Sequence, residues 1–173
     1  MRIGITGHQR LRGERGWEWV DAEIVRVLTA CCPPCVGVSS LAAGADQHFA
    51  RILLERGGAL EVVVPFPGYE SRFATEEDRS AYDRLLSAAS AVLTLPRVED
   101  SDELSYLAAG QRVVDMSGLL VAVWDGRPAA GPGGTGDIVV YADSRGKRVV
   151  HINPVDGRVE ERPLLRAESF VQK

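Results

Sequence analysis

The sequence predicts an α/β domain built as a doubly wound, mostly parallel sheet with helices on both faces. Three observations predict it. Short apolar, β-branched runs alternate with amphipathic stretches along the chain. Parallel neighbours need crossover connections of about a dozen residues or more, which those amphipathic stretches supply. Among the 18 glycines, Gly7, Gly44 and the group from Gly131 to Gly136 lie where an apolar run gives way to the next amphipathic stretch.

The elements follow in order. Arg2 to Thr6 reads as a strand, then Gly7-His8-Gln9-Arg10, then a helix from Trp17 to Ala30 with Trp17, Val20, Ile24, Val25 and Leu28 on one face. Pro33 and Pro34 end that helix, because proline has no N–H to donate, and Val36 to Ser39 is a short buried strand. Ser40-Leu41-Ala42-Ala43-Gly44-Ala45-Asp46 leads into a second helix ending near Arg56. Leu60 to Val64 is a strand covered on both faces. Tyr69 to Ser90 reads as loop then helix, with Ala81, Leu85 and Leu86 facing inward, and Ala91 to Leu95 is strand-like. Ser101 caps a helix that buries Leu104, Leu107, Ala108, Val113 and Met116. Leu119 to Val123 is a wholly apolar strand, and the loop Trp124 to Gly136 precedes a helix over Asp137 to Ser144 and a strand over Arg148 to Ile152. Residues 1–154 form the expected domain. Residues 155–173 are a C-terminal tail in which Gly157, flanked by Val155 and Val159, suggests a short hairpin.

At 173 residues the chain can bury a sizeable core as one domain without staples. A net charge of -4 argues against affinity resting on neutralising a nucleic-acid backbone, so DNA and RNA are not expected partners. No apolar run reaches the length of a membrane span and the start lacks the pattern of a signal peptide, so a cytoplasmic protein without a membrane partner is expected. Cys31, Cys32 and Cys35 have no obvious fourth ligand nearby and read as reduced thiols rather than a zinc or thiol-exchange site.

In an open parallel sheet the ligand crevice lies outside the carboxyl ends of the strands, where strand order reverses. Three glycine-bearing loops occupy that side. In Gly131-Pro132-Gly133-Gly134-Thr135-Gly136-Asp137 the glycines let backbone amides approach an anion that the following helix favours, and Thr135 adds a hydroxyl. In the loop from Ser39 and Ser40 to Asp46, Gly44 starts a helix close to a ligand, and Asp46 either caps that helix or accepts from a ribose hydroxyl. In the first loop Gly7 allows close approach, His8 and Gln9 give polar reach, and Arg10 either pairs with phosphate or stands in solvent. His48 reads as a satisfied, partly buried imidazole rather than a base.

Two of these stretches carry a resemblance. Ser40-Leu41-Ala42-Ala43-Gly44-Ala45-Asp46, with His48 behind it, is similar to the Ser-Gly-x-Ala-x-Gly-x-Asp stretch of the Smf/DNA-processing protein A Rossmann domain. Pro132-Gly133-Gly134-Thr135-Gly136 resembles the Pro-Gly-Gly-x-Gly of the LOG phosphoribohydrolases, once called lysine decarboxylases. Both belong to the SLOG superfamily, so the resemblance, from Met1 to about Pro154, implies a Rossmann-like nucleotide-binding fold. The LOG branch further implies a homodimer, whose interface the apolar helix faces from Leu104 to Met116 could supply. The chain departs from that branch where a catalytic Glu is expected, since Asp137-Ile138-Val139-Val140 follows the glycines; Arg112 is the nearest match to its helix arginine; and the stretch Trp124 to Gly131 lengthens the loop.

Two functions follow as expectations. The first is binding of a small-molecule nucleotide, with phosphate on Gly133, Gly134, Thr135 and Gly136, while Gly7, Gly44 and Asp46 shape the ribose and base side. No cofactor is implied beyond an Mg2+ ion that can accompany the phosphate. The alternative is cleavage of a nucleoside monophosphate at its N-glycosidic bond, with Asp137 or Asp125 as the carboxylate and Arg10 or Arg112 on the phosphate. DNA processing is disfavoured by the acidic balance and by the lack of an accessory winged-helix segment.

Overall fold

The computed structural model describes residues 1–11, 15–31, 34–129 and 131–162. In chain order the elements are β1 (Arg2–Gly7), α1 (Trp17–Ala30), β2 (Val36–Ser39), α2 (Ala45–Glu55), β3 (Ala59–Val64), a 3-10 turn (Tyr69–Arg72), α3 (Glu76–Ser87), β4 (Ala91–Thr94), α4 (Asp102–Met116), β5 (Leu119–Val123), α5 (Thr135–Ser144), β6 (Arg148–Asn153) and β7 (Arg158–Arg162). The strands form one sheet in the order β4-β3-β2-β1-β5-β6-β7. Every neighbouring pair is parallel except β6 and β7. Asn153 faces Arg158 across that last pair, so the turn around Gly157 returns the chain as an antiparallel edge strand. Residues 163–173 of the tail lie outside the described residues.

Alternation along the central strands divides the core in two. Ile3 and Ile5 of β1, Leu60, Val62 and Val64 of β3, and Leu119, Val121 and Val123 of β5 pack beneath α1, α2 and α3 with Val20, Ile24, Phe49, Leu53, Tyr82 and Leu85. The opposite face carries α4 and α5, where Leu120 and Ala122 meet Val114, Ile138, Val139 and Ala142, and Val38 and Val63 meet Ala109 and Val113. Each such side chain, wholly removed from water, contributes on the order of 2 kcal/mol. Gly4 alternates onto the second face, where a Cβ would lie 2.5 Å from Ser117 Oγ, so α4 rests directly on β1.

The boundaries follow local chemistry. Ser101 Oγ accepts the Leu104 amide at 3.2 Å and Thr75 Oγ1 accepts the Asp78 amide at 3.1 Å, starting α4 and α3. Three expectations are corrected. α5 begins at Thr135 rather than Asp137, because Gly134 is its N-cap. In α3 the inward positions are Tyr82 and Leu85, while Ala81 and Leu86 are half-buried. In α4 it is Ser105, Ala109, Val113 and Val114 that are buried; Leu104, Leu107, Ala108 and Met116 lie at the margins.

Candidate ligand crevice

Strand order reverses between β1 and β5: the chain runs outward from β1 through β2, β3 and β4, then crosses back to β5 on the other side. The loops that leave these two strands are tied together. The His8 amide donates to Val123 O at 3.0 Å, and His8 Nε2 lies 3.1 Å from the Asp125 amide and 3.2 Å from Asp125 Oδ1. A neutral Nε2 accepts the amide. Asp125 also accepts the Arg127 amide at 3.1 Å. Burial alone would raise the Asp125 carboxyl, but the Arg127 amide, His8 and the Arg127 guanidinium together hold it below the usual carboxylate range.

The β2 loop docks onto the same place. Gly44 has φ of 80°, and a Cβ there would lie 2.4 Å from Gln9 O and 2.6 Å from His8 O, while the Ala45 amide donates to His8 O at 3.1 Å. A Cβ on Gly7 would meet the Ala45 methyl at 2.5 Å. Glycine is therefore required on both sides of this contact.

Asp46 neither caps α2, whose N-cap is Gly44, nor faces a ligand as expected. Its carboxylate turns back beneath its own loop, accepting from Ser39 Oγ at 3.0 Å and the Ser40 amide at 3.1 Å, with the Leu41 and Ala42 amides alongside. Burial raises its carboxyl to about 6 against the lowering effect of these bonds. Leu41, buried with φ of 57°, completes the loop by donating its amide to Ser39 Oγ at 3.0 Å.

The glycine turn after β5 is similarly self-engaged in part. The Gly133 amide donates to Asp137 Oδ2 at 3.1 Å, and the Gly134 amide to Gly131 O at 3.3 Å. The Asp137 and Ile138 amides both donate to Gly134 O. The first-turn amides of Thr135 and Gly136 have no acceptor among the described residues. Gly133, with φ of 83°, sits against α4, where a Cβ would approach Leu107 N to 2.8 Å and Glu103 O to 2.9 Å. Both carboxylates foreseen for base release, Asp125 and Asp137, thus hold backbone amides of their own loops.

The remaining expected residues lie apart. Arg10 is exposed and makes no ion pair among the described residues, and Arg112 is exposed on the carboxyl half of α4, beyond the turn that carries Gly133. His48 stacks on Trp17 at 4.2 Å and its Nδ1 lies 2.7 Å from Asp21 Oδ1, which pins α1 to α2. Cys31 and Cys35 lie between α1 and β2, at the opposite end of the sheet, and Cys32 falls outside the described residues. The described residues contain no group of three or more His, Cys, Asp or Glu placed to hold a metal ion.

One feature of this end escaped the sequence reading. Phe66, Tyr69, Phe73, Tyr82 and Tyr106 pack ring against ring beyond β3, at centroid distances of 5.0 to 5.9 Å. Arg97 lies 4.8 Å and Arg72 5.9 Å above the Phe66 ring, and both guanidinium groups pair with Asp102. Burial raises the Tyr69 hydroxyl well above its ordinary range, with the Asp46 charge adding to it, and pushes Tyr82 up to about 12. The signal in the sequence was Pro65-Phe66-Pro67-Gly68-Tyr69 directly after an apolar strand.

The sequence matches no family model and no curated protein. Solved structures do share the fold. DNA processing protein A (DprA) from Streptococcus pneumoniae superposes with a TM-score of 0.64 at 15% identity, over 87% of this chain and 49% of that one. DprA from Helicobacter pylori, solved for its single-stranded DNA binding mode, gives 0.64 at 16% identity over 94% of this chain and 68% of that one. The structural-genomics target TM1055 gives 0.53 at 12% identity over 86% and 71%. The chain therefore spans about half the length of the first protein and about two thirds of the second. The expectation that charge disfavours a nucleic-acid partner is corrected by this finding. The same fold serves single-stranded DNA binding in the H. pylori protein, and a net charge of -4 says nothing about the local potential at one end of a sheet. Among the described residues no helix is long and apolar enough to cross a membrane. In strand order and superposition, this chain shares the Rossmann-like α/β fold of these solved structures.

Proposed function

We propose that the chain is a binding module for a phosphate-bearing nucleotide unit, either free or as part of a single strand, held at the carboxyl ends of β1, β2 and β5. The observation that carries this reading is the convergence of three loops at the β1/β5 reversal, with Gly44 seated on the His8 carbonyl and His8 clasped to Asp125. Such interlocked loops give a rigid rim, which reduces the ordering cost of binding. The Thr135 and Gly136 amides at the start of α5 supply donors for an oxyanion, while the Gly133 amide is taken by Asp137. The single-strand form of the ligand is supported by the shared fold of the H. pylori DNA-binding protein.

Calorimetric titration with adenosine 5′-monophosphate, cyclic AMP, NAD and an oligo(dT) of about 12 nucleotides tests the reading. At least one phosphate-bearing probe is expected to bind, and adenosine to bind far more weakly. Absence of heat and of any thermal shift with every probe would refute it.

A further inference from the structure

The aromatic group beyond β3 has chemistry of its own, two strands away from β1 and the reversal. Asp102, in the first turn of α4, receives Arg72 Nε on one carboxylate oxygen at 2.9 Å and an Arg97 terminal nitrogen on the other. The two arginines come from different segments, the turn after β3 and the loop after β4, yet both lie over the face of Phe66. Two cations share one carboxylate, with Glu103 as a further charge near Tyr106. The guanidinium groups keep part of their surface in solvent, with side-chain exposures of 44% for Arg72 and 33% for Arg97. Two arginines converging on a pair of oxygens present the geometry that phosphate esters use.

Tyr69 is an independent pointer to a ligand. It is 6% exposed, and its hydroxyl has no hydrogen-bond partner among the described residues. Its ring packs edge-on against Tyr106 at 5.9 Å. A donor fixed by ring packing and unused by the described residues is suited to a ligand oxygen. Tyr106, half-buried, links the two features, because its hydroxyl feels the charges of Asp102, Arg72, Arg97 and Glu103.

We propose that Arg72 and Arg97, with the Tyr106 hydroxyl beside them and Tyr69 packed against Tyr106, form a phosphate-ester subsite in which the Asp102 carboxylate occupies the position of the ligand's oxygens. This rests on the nucleotide-unit reading above and gives it a second anion position, away from the Gly133 turn. The ligand's phosphate displaces or shares Asp102, and each arginine then donates to it. The floor of Phe66 fixes the guanidinium planes so that little is lost in ordering them.

The test uses the full chain and four probes at low salt, where exposed charges are least screened: inorganic phosphate, adenosine 5′-monophosphate, oligo(dT) and adenosine. Asp102→Asn frees both arginines and is expected to tighten the phosphate-bearing probes about tenfold, Arg97→Gln to weaken them about tenfold, and adenosine to respond to neither. Tyr69→Phe keeps the ring packing and is expected to weaken the same probes by about threefold to tenfold. Stronger gains with the monophosphate assign a free nucleotide, and stronger gains with oligo(dT) assign a strand. If wild type binds these probes but all three variants bind them equally well, the subsite is overturned while the module reading stands. If wild type and the Asp102→Asn variant both bind none, both fail. Circular dichroism of each variant confirms that the comparison is between folded proteins.

Discussion

Asp46 shows how one residue can look like a ligand contact and serve the loop instead. The Ser39 hydroxyl and the Ser40 amide donate to a carboxylate that burial has raised to about 6. A raised carboxyl binds its proton more tightly in the folded than in the unfolded chain, so this group adds stability as pH falls from about 6 toward 4 and withdraws it as pH rises. In urea titrations at several pH values, the stability of wild type relative to Asp46→Asn should therefore improve by on the order of 2 kcal/mol between pH 7 and pH 4. A difference that is flat, or that runs the other way, would show that the carboxyl is not raised. The same residue marks the limit of motif reading. Spacing placed Asp46 after a glycine that opens a helix, but only the fold of the loop decides whether its oxygens face outward or back into the chain.

Among the elements, α5 is the one whose position matters most for the crevice, because Gly133 and Gly134 lead into it and its first turn offers the two open amides. Ile138 fastens it. The side chain is 2% exposed, packs with Leu120, Ala122 and Val149 of the sheet, and closes on Gly110 of α4, where a Cβ would lie 2.4 Å from Ile138 Cδ1. Ile138→Ala should cost about 2–5 kcal/mol in urea unfolding and weaken phosphate-bearing probes through a displaced turn. Ile138→Val, which keeps most of the contact, should cost about 1 kcal/mol and leave binding intact. Elements of this kind were legible in the sequence where burial is continuous: Leu119 to Val123 is apolar throughout because helices cover both of its faces. The aromatic group was not legible, because Phe66, Tyr69, Tyr82 and Tyr106 belong to separate segments whose meeting depends on how the turn after β3 folds against α3 and α4. The glycine loops and their aspartates were found by position, but the bonds those carboxylates make to their own loops were not, since a side chain folding back onto its own amides leaves no periodic trace.

For the molecule as a whole, the two edges of the sheet are protected unequally. At β7, Arg158, Glu160 and Glu161 place charges along the strand. At β4 no residue from Ala91 to Thr94 is charged, all four are exposed, and Val92 and Leu93 are 50% and 37% accessible. An apolar edge without a gatekeeper invites further strand pairing at high concentration. Val92→Lys should leave the unfolding midpoint nearly unchanged and lower light scattering in concentrated solution; unchanged scattering would show that the edge is already shielded. The central position of β1 bears on how the chain assembles. Ile3 pairs with Val36's neighbour Gly37 on one side and with Leu119 on the other. As the polypeptide emerges from the ribosome, one flank of its first strand can be zipped early, while the other must wait for a segment more than a hundred residues downstream. Until that late segment arrives the nascent half-sheet has an open seam at what becomes its middle, and closing that seam is the slow, long-range step expected to govern the folding rate.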